Sequence, residues 1–301
     1  MPQGSDLQFR LAAFNWLTEQ VDIHGDVLDW TLLKLGFELG GERVHVVSPQ
    51  GIFSPAQMEL PLSIRTAVEG PYDDSLDEGR FLHYRYRGND PQHRDNVGLR
   101  EVMRRQLPLI YFFGLIPGRY LTVWPVYIVG DDPQNLTFQV AVDNLESVKL
   151  AAEEPRALAE GAEIRRVYVT STVRARLHQR SFRERVIYAY RSTCALCRLR
   201  HRRLLDAAHI IPDSEEGGVP TVSNGLSLCK LHHAAFDNFM LGVSPDHEIQ
   251  IREDVLLEHD GPMLVHGLQE LHGQKIQLPH RQADRPSRDA LAWRYERFLY
   301  R

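Results

Sequence analysis

Two rhythms of apolar and polar positions divide the chain. The first has the period of a helix. Between Leu7 and Gln20, the residues Phe9, Leu11, Ala12, Phe14 and Leu17 fall mostly on one side. A second helical stretch is predicted from Val27 to Leu35, carrying Leu28, Trp30, Leu32 and Leu33. Gly36, Gly40 and Gly41 then punctuate the turn into a strand at Arg43 to Ser48. Residues 1–60 therefore predict either a helical, winged-helix-like cap or the edge of the next domain.

The second rhythm has period two. Phe81 to Arg87 alternates, with Phe81, His83, Arg85 and Arg87 on one side and Leu82, Tyr84 and Tyr86 on the other. Leu109 to Phe113, Leu121 to Val129 and Asn135 to Val142 are further strands, separated by Pro117-Gly118 and Gly130-Asp131-Asp132-Pro133. Asn96 to Gln106 reads as a helix between them. Several strands with one helix predict a closed or half-closed β-barrel over residues 61–150.

Residues 143–164 are acidic, alanine-rich and broken by Pro155 and Gly161, the best place for a domain boundary. A linker and basic segment is expected over 151–180, with a strand at Arg166 to Thr170. A domain at 181–301 opens with a helix from Ser181 to Tyr190. It continues with a strand at Leu204 to Ile211, a polar loop from Pro212 to Ser223 and a second strand from Asn224. A short β stretch at Glu248 to Ile251 and a terminal helix from Arg288 to Tyr300, carrying Leu291, Trp293, Tyr295 and Phe298, complete it. The expected fold class is α+β.

Composition narrows the class. With 301 residues, 43% apolar and 25% charged, the chain suits two ordinary soluble domains. No run of ~18 apolar residues predicts a membrane span, and MPQGSDLQFR shows no secretory signal. All three cysteines fall between 194 and 229, which leaves no even set for disulfides and points to a reducing cytoplasm.

Charge is uneven. The net charge is −5, yet Arg165 to Arg203 holds 12 arginines, no lysine and one acid, Glu184. That segment carries +11 and the remainder −16. A solvated helix face is the plainer explanation. Arginine without lysine, running into a metal-like motif, favours phosphate contact by Arg174, Arg176, Arg180, Arg183, Arg202 and Arg203.

That motif organises the C-terminal part. Cys194 and Cys197 form one C-x2-C knuckle, and Cys229 and His232 repeat its spacing. Two such pairs make a tetrahedral set for structural Zn²⁺. Interlaced with them are D-A-A-H-I-I-P, built around His209, Asn224-Gly225, and a second histidine, His233. This pattern, from about Arg191 to Asp246, resembles the HNH endonucleases of the ββα-metal fold.

The resemblance implies roles. His209 would be the general base that takes a proton from water, although an isolated histidine beside two isoleucines is more often core. Asn224 would tie the hairpin loop or give an oxygen to a metal. Helical neighbours project ~100° apart, so His232 goes to zinc and His233 to the catalytic groove. Asp237 shares the face of His233, and the two could hold a catalytic Mg²⁺ or Mn²⁺. Many such enzymes place a metal ligand just before the base, where this chain has Ala208. Asp206, on the same strand side, either replaces that ligand or anchors an arginine.

Around the predicted barrel, Gly70-Pro71-Tyr72-Asp73-Asp74, Tyr84-Arg85-Tyr86-Arg87-Gly88 and Asp95-Asn96 resemble the SRA/PUA-like readers of modified bases. By that resemblance Tyr72, Tyr84 and Tyr86 would stack on a flipped base, and Asp73 or Asp95 would accept from a cytosine amine. Ordinary sheet packing is the alternative for the tyrosines. The expected function is a modification-dependent restriction endonuclease on double-stranded DNA, reading methylated or hydroxymethylated cytosine, with a homodimer suited to two-strand cutting. The alternatives are an HNH nuclease whose N-terminal domain binds a partner or RNA, and a non-catalytic zinc DNA-binding protein.

Overall fold

The computed structural model describes residues 3–67, 81–145 and 162–301. Tyr72, Asp73 and most of the expected boundary at 143–164 lie outside the described residues. The chain forms two compact units, Met1–Leu177 and His178–Arg301.

The first unit is built on a curled sheet. In chain order it holds α1 (Gln3–His24), β1 (Val27–Asp29), α2 (Trp30–Leu35), β2 (Phe37–Leu39), β3 (Glu42–Val44), β4 (Ile52–Phe53) and β5 (Ser63–Arg65). It continues with β6 (Leu82–Arg85), α3 (Arg94–Arg104), β7 (Leu109–Ile116), β8 (Arg119–Asp132) and β9 (Thr137–Val142). The sheet order is β4-β5-β7-β8-β9-β6, with β1 added on β8. Among the described residues, only β5 and β7 pair in parallel. Beyond the two outer strands, Arg87 donates to the Gln50 side chain at 3.3 Å, so the sheet bends its margins towards each other. Among the described residues β4 and β6 do not pair.

β7 shows why its sequence reads as one apolar run. Leu109, Tyr111, Phe113 and Leu115 enter one core with Leu82, Tyr84, Leu99 and Phe138. Ile110 and Phe112 point the other way, into a second core with Ala13, Phe14 and Leu17 of α1. A strand buried on both faces has no polar side to alternate.

Within residues 1–60, β1 and β4 join this sheet and α1 packs against it, while β2 and β3 pair only with each other among the described residues. The expected helix at Val27 to Leu35 is corrected for the same reason. Val27, Leu28 and Asp29 pair with Leu121, Tyr120 and Arg119 of β8, leaving only Trp30–Leu35 helical.

The division between units falls within α4 (Ala162–Ala189). The strand expected at Arg166 to Thr170 is thus helix. Alternation over five residues misled, because the longer spacing Val169, Val173, Leu177 puts one helical stripe on the first core. Arg165 and Arg166 bond the buried Asp143 carboxylate at 2.7 and 2.9 Å, and the Thr170 hydroxyl accepts from the Val142 N–H at 2.9 Å.

The second unit centres on a hairpin, β10 (Leu205–His209) and β11 (Gly225–Cys229), followed by α5 (Lys230–Asp237). A second hairpin, β12 (Leu241–Val243) and β13 (Ile249–Ile251), comes next. The short helices α6 (Glu253–Leu257) and α7 (Pro262–Gly267) and the terminal α8 (Arg288–Leu299) follow. Their core joins Phe182, Val186 and Tyr190 to Leu205, Leu226, Phe236, Val243 and Leu291. Trp293 and Tyr295 stay only partly buried.

Candidate active site and metal centre

Cys194, Cys197, Cys229 and His232 bring one ligand atom each to within 4.8 Å of one another. The Cys229 sulfur lies 3.2 Å from His232 Nδ1 and 3.9 Å from the Cys197 sulfur, spacings that a single tetrahedral ion spans. The surroundings fit that use. His232 Nε2 donates to the Gly267 carbonyl at 2.6 Å, which leaves Nδ1 bare for an ion. The Cys229 N–H points at the Cys194 sulfur at 3.3 Å, a donor suited to a thiolate. Three sulfurs and one imidazole favour zinc over the oxygen-seeking cations.

β10 and β11 run antiparallel with His209 opposite Gly225. The absence of a side chain there matters: a Cβ on Gly225 would stand 2.5 Å from Val186 and 3.0 Å from Phe182. α4 thus lies hard on the hairpin, and the Phe182 ring stacks on His209 at 3.9 Å and 11°. The His209 ring is half-buried, with Nε2 enclosed and lacking a hydrogen-bond partner among the described residues. Burial lowers its pKa, opposed by Asp213 and Asp237 and reinforced by His233. These are the groups whose charge His209 feels. Phe182 was not singled out from the sequence, since nothing in a lone phenylalanine of a basic helix points to a histidine 27 residues on.

Asn224 spends its whole amide on the loop. It accepts from the Ile211 N–H at 2.9 Å and donates to the carbonyls of Ile211 and Val219 at 2.9 and 3.1 Å. Of the two roles considered for it, tying the loop is the one its bonds perform.

On α5 the neighbouring histidines separate as helical geometry requires, His232 to the cysteines and His233 elsewhere. His233 Nε2 faces Asp237 at 3.3 Å, and Nδ1 faces Asp206 at 3.6 Å.

A histidine on the first strand, an asparagine tying the loop and a histidine on the following helix now stand in one unit, and residues 194–244 match the family described as HNH endonuclease. This stretch is similar to the HNH endonucleases.

Comparison with curated proteins finds no match. Among solved structures the chain is similar to a "Modification dependent TagI restriction endonuclease", at 17% identity and a TM-score of 0.31, covering 93% of this chain and 89% of that one. A TM-score of 0.31 does not amount to a shared overall arrangement.

The geometry separates the three residues considered for the catalytic ion. Asp206, His233 and Asp237 do not converge on one point, because the two carboxylates face opposite nitrogens of the ring. Asp206 instead anchors cations: Lys230 bonds one of its oxygens, and Arg183 Nε lies 3.4 Å from the other. Burial alone would raise the Asp206 carboxyl, but Lys230 and Arg183 outweigh it and hold it below the usual range. His233 Nε2 and Asp237 Oδ2 lie side by side on one face of α5.

The arginines divide as well. Arg183 also donates to Glu184 at 2.9 Å and to the Leu205 carbonyl at 2.6 Å. Arg202 bonds Glu184 and, at 2.8 Å, the Ser192 hydroxyl. Glu184 is only 1% exposed, so both arginines brace the fold rather than wait for phosphate. Arg174 is partly buried and reaches the Phe81 carbonyl at 3.4 Å, and Arg180 is partly buried too. Arg176 is exposed, as are Arg185, Arg191, Arg198, Arg200 and Arg203.

In the first unit, Tyr84 and Tyr86 are 5% and 6% exposed. Tyr84 meets Tyr111 edge-on, and Tyr86 packs on Phe138 and bonds Asp131. Their rings are sheet packing, with no face left for a base. Asp95 opens α3 and is paired with Arg87.

Arg294 was also missed. It is buried, lies over Phe236 and Phe239 at 4.5 and 4.3 Å and donates to the Phe236 carbonyl at 2.8 Å.

Proposed function

We propose that the protein is a metal-dependent endonuclease that hydrolyses phosphodiester bonds of double-stranded DNA. The reading is carried by His209, an imidazole kept neutral by burial and electrostatically close to the His233–Asp237 pair. A neutral histidine can take the proton of an attacking water. Stacking on Phe182 fixes the plane of that ring, and Asn224 fixes the loop beyond it.

His233 and Asp237 would hold a Mg²⁺ or Mn²⁺ ion, together with substrate oxygens and water. When bound, the ion supplies positive charge to the phosphate being cleaved. The exposed arginines Arg185, Arg191, Arg198, Arg200 and Arg203 supply the cationic surface for the backbone. Zinc in the three-cysteine, one-histidine site would tie the chain ahead of β10 to the start of α5.

The finer reading gives the first unit a role in selecting modified cytosine. It rests on the Gly70-to-Asp74 segment and on the curled sheet. Burial of Tyr84 and Tyr86 favours a second reading, a nuclease without modified-base specificity whose first unit binds a partner or RNA.

One digestion decides among these. Plasmids carrying methylated, hydroxymethylated or unmodified cytosine are incubated with the wild type and His209→Ala, in Mg²⁺, Mn²⁺ or EDTA. Ion-dependent cutting that His209→Ala abolishes supports the nuclease, and preference for one modification supports the reader. Failure to cut any substrate, or equal cutting by the variant, overturns the proposal.

A further inference from the structure

α8 lies outside the stretch that matches the HNH family, yet it reaches the candidate site. Its two ends are fixed. The Ser287 N–H donates to the Ser223 carbonyl at 2.9 Å, next to Asn224. At the other end, a Cβ on Gly242 would stand 2.7 Å from the Phe298 ring, so the helix presses directly on β12. Between these anchors Arg294 turns inward, with its side chain 6% exposed.

The position is costly for a cation. Burial pulls the pKa of Arg294 down, Arg297 adds to that, and Asp237 opposes it. The guanidinium is held by two aromatic faces and by the carbonyl near the end of α5. Its carboxylate neighbour is Asp237, whose Oδ1 lies 3.7 Å away. The other oxygen of Asp237 is the one that faces His233 Nε2.

We propose that Arg294 is a positioning residue of the nuclease site: it fixes the carboxylate of Asp237 and, through it, the ring of His233. This rests on the nuclease reading of His233 given above. An exposed aspartate at a helix end has several rotamers. A guanidinium held against two rings beside Oδ1 favours the orientation with Oδ2 towards the imidazole. The working nuclease unit therefore extends beyond residue 244 to include α8.

The test is a double-mutant cycle in the zinc-loaded full chain, with Arg294→Met, Asp237→Asn and the two combined. Methionine keeps the stem packed on the rings and removes the charge and the fork. The first readout is the His233 ring resonance in ¹H–¹⁵N NMR, assigned by its loss in His233→Gln. Arg294→Met should displace it in the wild-type background and leave it in place beside Asp237→Asn.

The second readout is plasmid cleavage at saturating Mn²⁺. Arg294→Met should slow it by about tenfold or more, as misplacement of a site group does. In the Asp237→Asn background the further loss should stay under about twofold. Arg294→Lys should recover part of the rate. If Arg294→Met melts early or loses zinc, Arg294→Lys, which keeps the charge and loses the fork, runs the same cycle.

An unmoved resonance in a folded variant, or equal displacement in both backgrounds, overturns the proposal. If the wild type cleaves no DNA, the nuclease reading fails, while the resonance cycle still decides what Arg294 does.

Discussion

A histidine that serves as a base must reach working pH without its proton. For His209 burial does this, since charging a ring pressed against Phe182 means taking a cation out of water. The folded pKa lies below the ordinary 6.5, so the neutral form predominates at 6.5 and remains on the acid side of it. The acid limb of a kcat/KM profile for plasmid cleavage should therefore fall below that value. A limb above it would show that another group is titrating. His209→Ala should reduce cleavage by about 10²-fold or more, with the melting temperature and DNA affinity little changed.

At the scale of elements, two polar devices fasten chain segments to the cores. The first is the cluster of three cysteines and His232. Cys194→Ser, Cys229→Ser or a strong chelator should unfold the hairpin and α5, read as lost zinc content together with a lowered melting temperature. A variant with full zinc and unchanged melting would rule out these ligands.

The second device is Asp143, which holds the start of α4. Burial would raise its carboxyl, but bonds from Arg165, Arg166 and the Asn144 N–H outweigh that and depress it below 3.8. A depressed carboxylate stabilises the fold fully above its unfolded pKa, and that contribution fades as pH falls through the folded value. Asp143→Asn should cost about 1–3 kcal/mol at pH 7 in urea unfolding, less than a fully buried pair because both guanidiniums keep some solvent. The difference from wild type should shrink below pH 3.8, the carboxyl's ordinary value.

Legibility in the sequence followed locality. The two knuckles, the hairpin and the split of His232 from His233 were readable because spacing alone dictates them. The helical character of Arg166 to Thr170 was not, since five alternating residues hide a stripe that only Val173 and Leu177 reveal. Phe182 and Arg294 were invisible for another reason. Their partners are brought near by packing, and nothing in the residues beside them announces it.

For the molecule as a whole, charge and chain continuity carry the consequences. Five exposed arginines between Arg185 and Arg203 set an upper limit on phosphate contacts from that run. If all five engage, log K should fall against log salt with a slope of about −4.5, steeper than an overall charge of −5 would suggest. A flat salt response would remove this surface from the DNA interface. None of the described helices is long and apolar enough to cross a membrane.

The amide of Asn224 has one more effect. By gripping Ile211 on one side and Val219 on the other, it makes the exposed residues between them a closed noose on the surface. A glutamate-specific protease that severs the chain after Glu216 should therefore give two polypeptides on a denaturing gel, but a single zinc-containing particle on a sizing column.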